Sequence, residues 1–280
     1  MRPEIARNGL VAAIVITMVT NSSPAQSDKA LEGNRYVKVR LALDRDTPGG
    51  KMLFGAIFDI SEGWHLYWRN PGDSGLPPKV KLKLPAGITA GPPRWPAPKW
   101  HLGEGDVLDF IYEKQLVLIW PLEMTKSAQQ GTVDIEADID WLVCREKCVP
   151  GRAHVKQSFT MDSAANNAAD TMILRKSAAE APRPLPAEKA PAAFRWDNYT
   201  LVIESPHATR LVFFPHENDA DIYPLDLSKS GVSKNGSLHL KYPETVKRLE
   251  KVSGVLTITR DGKSTPFEIT CPIGAAKGKN

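Results

Sequence analysis

The strongest constraint on this chain is a repeated alternation of apolar and polar residues over short runs. In residues 35–45 (RYVKVRLALDR), every second position from Val37 to Leu43 is apolar, and three of the four intervening side chains from Tyr36 to Ala42 are tyrosine, lysine or arginine. Successive side chains of a strand point to opposite faces, so this pattern predicts a half-buried strand. Similar runs occupy residues 52–60, 64–69, 79–84, 116–124, 132–143 and 153–161. Seven short strands separated by Gly- and Pro-rich turns predict an all-β domain, an antiparallel β-sandwich, over residues 30–162.

One connection between these runs, residues 85–113, is unusually long. It is rich in Pro and Gly and contains Trp95 and Trp100. Loops of this length in compact domains are usually functional lids or disordered segments. Two tryptophans are unfavourable to leave in water. We therefore expect an ordered lid.

The composition changes after the seventh run. Residues 163–193 combine an Ala-rich stretch, with a possible short helix at 164–180, and the sequence APRPLPAEKAP, which is typical of a stiff linker. Strand patterns then resume at 199–205, 209–215, 237–242, 254–260 and 264–271, the last two joined through Asp261-Gly262. These features predict a second, smaller β-sandwich domain over residues 194–276.

The first 25 residues have the layout of a secretory signal peptide. Arg2 and Arg7 precede an apolar run of ten residues, Leu10–Val19, and the small residues Ser23-Pro24-Ala25 follow it. A run of ten residues is much shorter than the roughly 20 that span a bilayer. We therefore predict cleavage after residue 25 and export to the periplasm of a Gram-negative cell, and no later stretch is long and apolar enough to span a membrane.

The charge pattern argues against a nucleic-acid partner. The formal net charge is +4, and it falls to about +3 when Arg2, Arg7 and Glu4 leave with the signal peptide. The basic residues are scattered rather than clustered in a stripe, so the electrostatic footprint of a nucleic-acid-binding protein is missing.

Two of the three cysteines lie close together in WLVCREKCVPG, residues 141–151. The apolar alternation of the preceding strand places Cys144 on the face opposite the core, where it points toward the solvent or the lid. Four residues of extended strand span roughly 13 Å, whereas a disulfide needs Cα atoms closer than about 7 Å, so the chain must turn between Cys144 and Cys148. A loop this small would gain only about 2 kcal/mol from the bond, which makes it a weak staple.

The residues around this pair leave three readings open: a redox-active pair, a structural disulfide, or a Cu(I) or zinc site. Arg145, Lys147 and Arg152 surround the pair, and nearby cations favour the thiolate that attacks disulfides and binds soft metals. The third cysteine, Cys271, shares a strand face with Phe267 and Ile269, which favours a buried core cysteine. The histidines show no metal-ligand spacing.

Four stretches together resemble the N-terminal periplasmic domain of DsbD/ScsB-type thiol–disulfide interchange proteins. They are GWHLYWRNPGDSGLPP (63–78), RWPAP (94–98), YE (112–113) and WLVCREKCVPG (141–151). Their order and spacing extend the resemblance over residues 30–165, and residues 194–275 are similar to the extra β-domain of ScsB-like members. The resemblance implies an immunoglobulin-like domain that shuttles electrons, and we expect no cofactor and no metal in it.

The same resemblance implies a function and roles for particular residues. A membrane-embedded thiol reductase reduces the pair, which then reduces periplasmic thioredoxin-like or disulfide isomerase proteins. Cys148 forms the mixed disulfide, Cys144 resolves it, and His65 and Tyr67 line the site. The shielding lid includes Trp100 and His101.

Two departures from the best-studied members leave an alternative. The cysteines of those members are spaced more widely, whereas the three-residue spacing found here is the ScsB-like form. The electron source of this chain is also expected to be a separate protein. ScsB-like proteins are associated with copper tolerance. The alternative is therefore a copper-handling or partner-binding β-sandwich without redox turnover.

Overall fold

The fold is described from a computed structural model, for residues 31–45, 52–125, 131–161, 167–216 and 223–273. The predicted signal peptide, residues 1–25, lies outside these ranges. The strands are β1 (Val37–Asp44), β2 (Met52–Ile60), β3 (His65–Gly72), β4 (Lys79–Lys83), β5 (Ile88–Ala90), β6 (Lys99–Leu102), β7 (Leu108–Glu113), β8 (Gln115–Met124), β9 (Thr132–Cys144), β10 (Cys148–Thr160), β11 (Arg183–Pro184), β12 (Ala193–Asp197), β13 (Thr200–Glu204), β14 (Arg210–Pro215), β15 (Val232–Ser233), β16 (Ser237–Lys241), β17 (Lys251–Arg260) and β18 (Lys263–Pro272). The helices are α1 (Ala168–Glu180) and α2 (Leu227–Ser230), with short 3-10 turns at Glu32–Arg35, Glu104–Asp106 and Glu244–Arg248.

The first domain is an antiparallel β-sandwich, as the alternation predicts. One sheet has the order β1-β2-β8-β5, and the other has the order β10-β9-β3-β7-β6, with β4 also paired to β9. Side chains with apolar character fill the space between the sheets, among them Phe54, Leu66, Trp68 and Ile139, all at most 1 % exposed. The predicted all-β, immunoglobulin-like fold is confirmed.

The long segment 85–113 is not a lid, and that expectation is wrong. It contributes β5, β6 and β7, and β7 lies inside the second sheet between β3 and β6. Five of the six residues of β7 are buried, so the strand packs on both faces and lacks the alternation that marks a half-exposed strand. The Pro- and Gly-rich composition around it conceals strands that pair with distant partners.

Helix α1 covers the outer face of the first sheet. The side chain of Asn167 caps its first turn, and Leu174, fully buried, packs in a small cluster with Ile57 and Val117. A side chain at Gly55 would collide with Leu174, because a Cβ there would lie 2.2 Å from it. Arg175 donates two hydrogen bonds to the buried carboxylate of Asp44, at 2.8 and 3.0 Å.

The segment 181–191, predicted as a stiff linker, runs along the second domain. Its strand β11 pairs in parallel with β18, and the carbonyl of Pro191 accepts hydrogen bonds from Ser205 and Arg260 at 2.8 and 2.6 Å. The second domain is a smaller sandwich of two sheets, β11-β18-β17-β14-β15 and β12-β13-β16. The β17–β18 hairpin turns through Asp261 and Gly262, both at positive φ.

The two domains are packed against each other through a shared apolar core. Buried residues of both domains form one contiguous cluster. At the junction, Phe214 of β14 contacts the rings of Trp68, Trp100 and Phe110. Within the described ranges, no helix is long and apolar enough to cross a bilayer.

Candidate functional site

Cys144 and Cys148 form a disulfide across the end of the β9–β10 hairpin. The two residues face each other directly in the ladder, with Cα atoms 4.1 Å apart. A backbone hydrogen bond from Arg145 N to the carbonyl oxygen of Lys147, at 3.1 Å, closes the turn between them. The bond therefore joins two residues that the hairpin already brings together.

The two cysteines differ sharply in exposure. Cys144 is 2 % exposed and packs against Tyr67, Ile111 and Leu142 in a small cluster outside the main core. Cys148 is exposed to solvent. The prediction that Cys144 faces away from the core is confirmed by this cluster, but the thiol is covered by neighbouring side chains rather than open to solvent.

His65 and Tyr67 lie beside the disulfide. His65 is the partner of Cys144 in the ladder between β3 and β9. Tyr67 Oη lies 3.9 Å from Cys148 Sγ and 3.2 Å from His65 Nε2. The alternation of β3 explains this placement, because Leu66 and Trp68 point into the core and the two aromatic side chains with polar atoms point the other way. A chain of polar atoms thus runs from His65 through the tyrosine hydroxyl to the exposed sulfur.

The surroundings of His65 and Tyr67 favour the neutral form of each side chain. Burial lowers the pKa of His65, as does the nearby charge of His101, while Asp109 and Glu113 oppose the effect. Burial also raises the pKa of Tyr67. His65 and Tyr67 are therefore uncharged near neutral pH, and the tyrosine hydroxyl keeps its proton.

Tyr67 is covered by residues 70–78, which comprise the end of β3 and the segment that follows it; we call them the covering loop. Asp109 accepts hydrogen bonds from the backbone N–H and the hydroxyl of Ser74, at 3.0 and 2.9 Å. Gly75 lies flat on the tyrosine ring, where a Cβ would come within 2.2 Å of ring carbon. Its φ of 77° also favours glycine. The quoted motif NPGDSGLPP thus shapes a cover for the site.

Asp109 and Gly75 are site residues that sequence reasoning missed. Asp109 is 35 positions from Ser74 along the chain, so no local pattern connects them. The only signal was the density of Gly, Pro, Asp and Ser in residues 70–78, which is typical of a shaped turn.

The structure corrects the role expected for Trp100. Trp100 and His101 are neighbours on β6, and side chains of successive strand residues point to opposite faces. His101 lies near the site, with its ring centroid 5.7 Å from that of His65. Trp100 packs instead on Phe110 and Phe214 at the junction of the domains. It does not shield the cysteine pair.

Two of the three cations expected around the pair are engaged elsewhere. Lys147 forms an ion pair with Glu32 at 3.4 Å, and Arg152 with Asp140 at 2.5 Å. Arg145 is exposed in the turn itself. Among the residues that the structure describes, no group of three or more His, Cys, Asp or Glu side chains is arranged to hold a metal ion.

The chain resembles known proteins in sequence family and in fold. Residues 34–160 match the family model of the thiol:disulfide interchange protein DsbD, N-terminal. The crystal structure of the N-terminal periplasmic domain of ScsB from Proteus mirabilis is 16 % identical, with a TM-score of 0.58, and the alignment covers 87 % of this chain and 96 % of that one. This likeness shows a shared fold that spans both domains.

A second solved structure is more distant. The reduced DsbD N-terminal domain of Neisseria meningitidis is 13 % identical, with a TM-score of 0.30, and the alignment covers 46 % of this chain and 87 % of that one. No curated protein sequence matches the chain significantly.

Proposed function

Because residues 34–160 form a domain of the DsbD N-terminal family of thiol–disulfide interchange proteins, we propose that this chain is a periplasmic thiol–disulfide exchange protein. Cys144 and Cys148 take electrons from a membrane-embedded thiol reductase and pass them to periplasmic disulfide acceptors of the thioredoxin-like or disulfide isomerase type. The predicted signal peptide, residues 1–25, directs the chain to that compartment.

The observation that carries this proposal is the unequal exposure of the two sulfurs. Cys148 is exposed, whereas Cys144 is 2 % exposed beneath Tyr67. Exchange passes through a mixed disulfide formed by the sulfur that a partner can reach. Cys148 is therefore the sulfur that joins the acceptor, and Cys144 is the one that resolves the intermediate.

The exchange has two steps. The Cys148 thiolate attacks one sulfur of the acceptor disulfide, forming the mixed disulfide while the second acceptor sulfur leaves with the electron pair and takes up a proton. The Cys144 thiolate then attacks Cys148 Sγ, which releases the first acceptor sulfur as a thiol and restores the protein disulfide. The acceptor gains two electrons and two protons, and the pair of cysteines loses them.

We assign His65 and Tyr67 to proton movement at Cys148. The thiolate is the nucleophile, so the Cys148 thiol must lose its proton before it attacks. The tyrosine hydroxyl can accept that proton while it donates its own to His65 Nε2, across contacts of 3.9 and 3.2 Å. The lowered pKa of His65 keeps its ring neutral and able to accept the proton.

Trapping of the mixed disulfide tests the function. The variant Cys144→Ala, with Cys271→Ser to remove the third thiol, should form a stable covalent adduct with an oxidised thioredoxin-like protein on a non-reducing gel. The matched variant Cys148→Ala should form much less adduct, because its remaining sulfur is buried. Adduct formation only through Cys144 would reverse the roles, and no adduct with any acceptor would contradict the exchange function.

A further inference from the structure

The second domain reaches the first at the strand that carries Tyr67. Phe214 is 3 % exposed, and its ring lies 6.1 Å from that of Trp68, 5.9 Å from Trp100 and 5.3 Å from Phe110. Trp68 directly follows Tyr67 in β3 and points to the opposite face of the sheet. The second domain therefore packs against β3, the strand that also carries Tyr67 beside the cysteine pair.

Asn70 joins the covering loop to the second domain. Its side-chain amide donates a hydrogen bond of 2.8 Å to the carbonyl oxygen of Pro215, the residue after Phe214. Its side-chain oxygen accepts one of 3.0 Å from the backbone N–H of Gly72. Asn70 is 2 % exposed, so both bonds form away from water, where leaving a polar group unpaired is unfavourable.

The covering loop continues from Asn70 to the disulfide through direct contacts. Asp73 accepts a hydrogen bond from the backbone N–H of Leu108 at 2.8 Å, and Asp109 holds Ser74. Gly75 then rests on the ring of Tyr67. Tyr67 covers Cys144 and reaches Cys148 Sγ, so an unbroken set of contacts leads from Pro215 to both sulfurs.

We propose that the second domain controls access to Cys144, the buried sulfur of the disulfide, with Asn70 as the positioning residue that ties the covering loop to Pro215. Docking of the second domain keeps the loop closed over Tyr67, and loosening of the junction lets the loop and the tyrosine ring move off Cys144. This control is a role for the second domain within the proposed function, and its biological meaning rests on that function.

Three variants of the full chain test this control. Asn70→Ala removes the side-chain hydrogen bonds to Pro215 and Gly72 at the start of the loop. Phe214→Leu loosens the junction from the side of the second domain and leaves every residue of the loop unchanged. The matched control is Phe267→Leu, which removes a buried ring from the core of the second domain. The Phe267 ring contacts Arg183 of the same domain.

The measurement is the rate at which iodoacetamide alkylates Cys144, counted by mass spectrometry, with Cys148→Ser and Cys271→Ser added to every variant and to the reference protein so that Cys144 is the only thiol. No protein partner enters this assay. Urea unfolding of each variant gives its global stability. Amide hydrogen exchange of residues 72–75 reports opening of the loop alone.

We expect Asn70→Ala to speed alkylation of Cys144 by about fivefold, the factor that corresponds to one net hydrogen bond. Phe214→Leu should also speed it, because it loosens the same junction from the other side. Exchange of the loop amides should rise by a similar factor, and Phe267→Leu should keep the rate of the reference protein. Acceleration in all three variants in proportion to lost stability, or in none of them, would overturn the proposal. Failure of the proposed function would appear separately, as a wild-type protein that dithiothreitol reduces but that gives no electrons to any acceptor.

Discussion

Replacing one cysteine at a time should separate the two sulfurs by their reactivity. The variant Cys144→Ser leaves only the exposed thiol of Cys148, and Cys148→Ser leaves only the buried thiol of Cys144. Both variants also carry Cys271→Ser. Burial raises the pKa of the Cys271 thiol to about 12, so this thiol reacts slowly, and replacing it removes that slow background reaction. We expect iodoacetamide to alkylate Cys148 much faster than Cys144.

The structure sets the size of this difference. Cys144 becomes accessible when the ring of Tyr67 moves away, which exposes on the order of 100 Å² of apolar surface, about half of what a buried tyrosine covers. At about 25 cal/mol per Å², this opening takes about 2.5 kcal/mol and slows alkylation about seventyfold. Loss of the disulfide itself removes about 2 kcal/mol of stability from either variant. Both should therefore stay folded, with Tm lowered by about 4–8 °C.

Alkylation rates are measured by mass spectrometry over a range of pH, which separates access from differences in thiol pKa. Adding Tyr67→Ala to the Cys148→Ser variant should restore rapid reaction of Cys144, because it removes the covering ring. Equal rates for the two single-thiol variants would refute the assignment of roles, and so would a Cys144 that stays slow after the ring is removed.

Three further changes test other parts of the reasoning. Burial lowers the pKa of His65 in the folded state, so the unfolded chain binds the proton more readily. The free energy of unfolding of the wild type should therefore decrease as pH falls below about 6.5. His65→Gln should weaken this pH dependence, measured by urea unfolding. Leu174→Ala should reduce the free energy of unfolding by about 2–5 kcal/mol. The rate at which dithiothreitol reduces the Cys144–Cys148 bond should stay unchanged, because Leu174 packs α1 on the first sheet and the cysteine pair lies on the second. Gly151→Ala should lower the free energy of unfolding by urea by about 1–3 kcal/mol, because a Cβ there would lie 2.2 Å from the ring of Trp141.

Each of these has a clear contrary result. A His65→Gln variant with the full wild-type pH dependence would place the titration elsewhere. A Leu174→Ala variant that accelerates reduction of the disulfide would connect α1 to the site, which the contacts do not predict. A Gly151→Ala variant as stable as the wild type would mean that the Trp141 ring has room to move.

Much of the fold, and the grouping of the central residues of the site, follow from short sequence patterns. The period of two in β1, β3 and β9 identifies the core face of each strand, and it places His65, Tyr67 and Cys144 together on the other face. The β17–β18 hairpin follows equally directly from the strand patterns that flank Asp261-Gly262. These are local properties, since a side chain's direction along a strand depends only on its neighbours in the chain.

Other features depend on residues that are far apart in the chain. The burial of Cys144 depends on Tyr67, and the covering loop depends on Asp109. Strand β7 could not be recognised inside residues 85–113, because a strand buried on both faces carries no alternation.

The sequence by itself determined that this chain is a two-part β protein with a cysteine pair off the core face, because strand period and turn residues act over a few positions. Tertiary structure alone decided which sulfur is exposed, that Trp100 serves the junction rather than the site, and that Asn70 reaches Pro215. Those outcomes follow from the packing of two sheets and two domains, and contacts between residues as distant as 145 positions leave no signature in a single sequence.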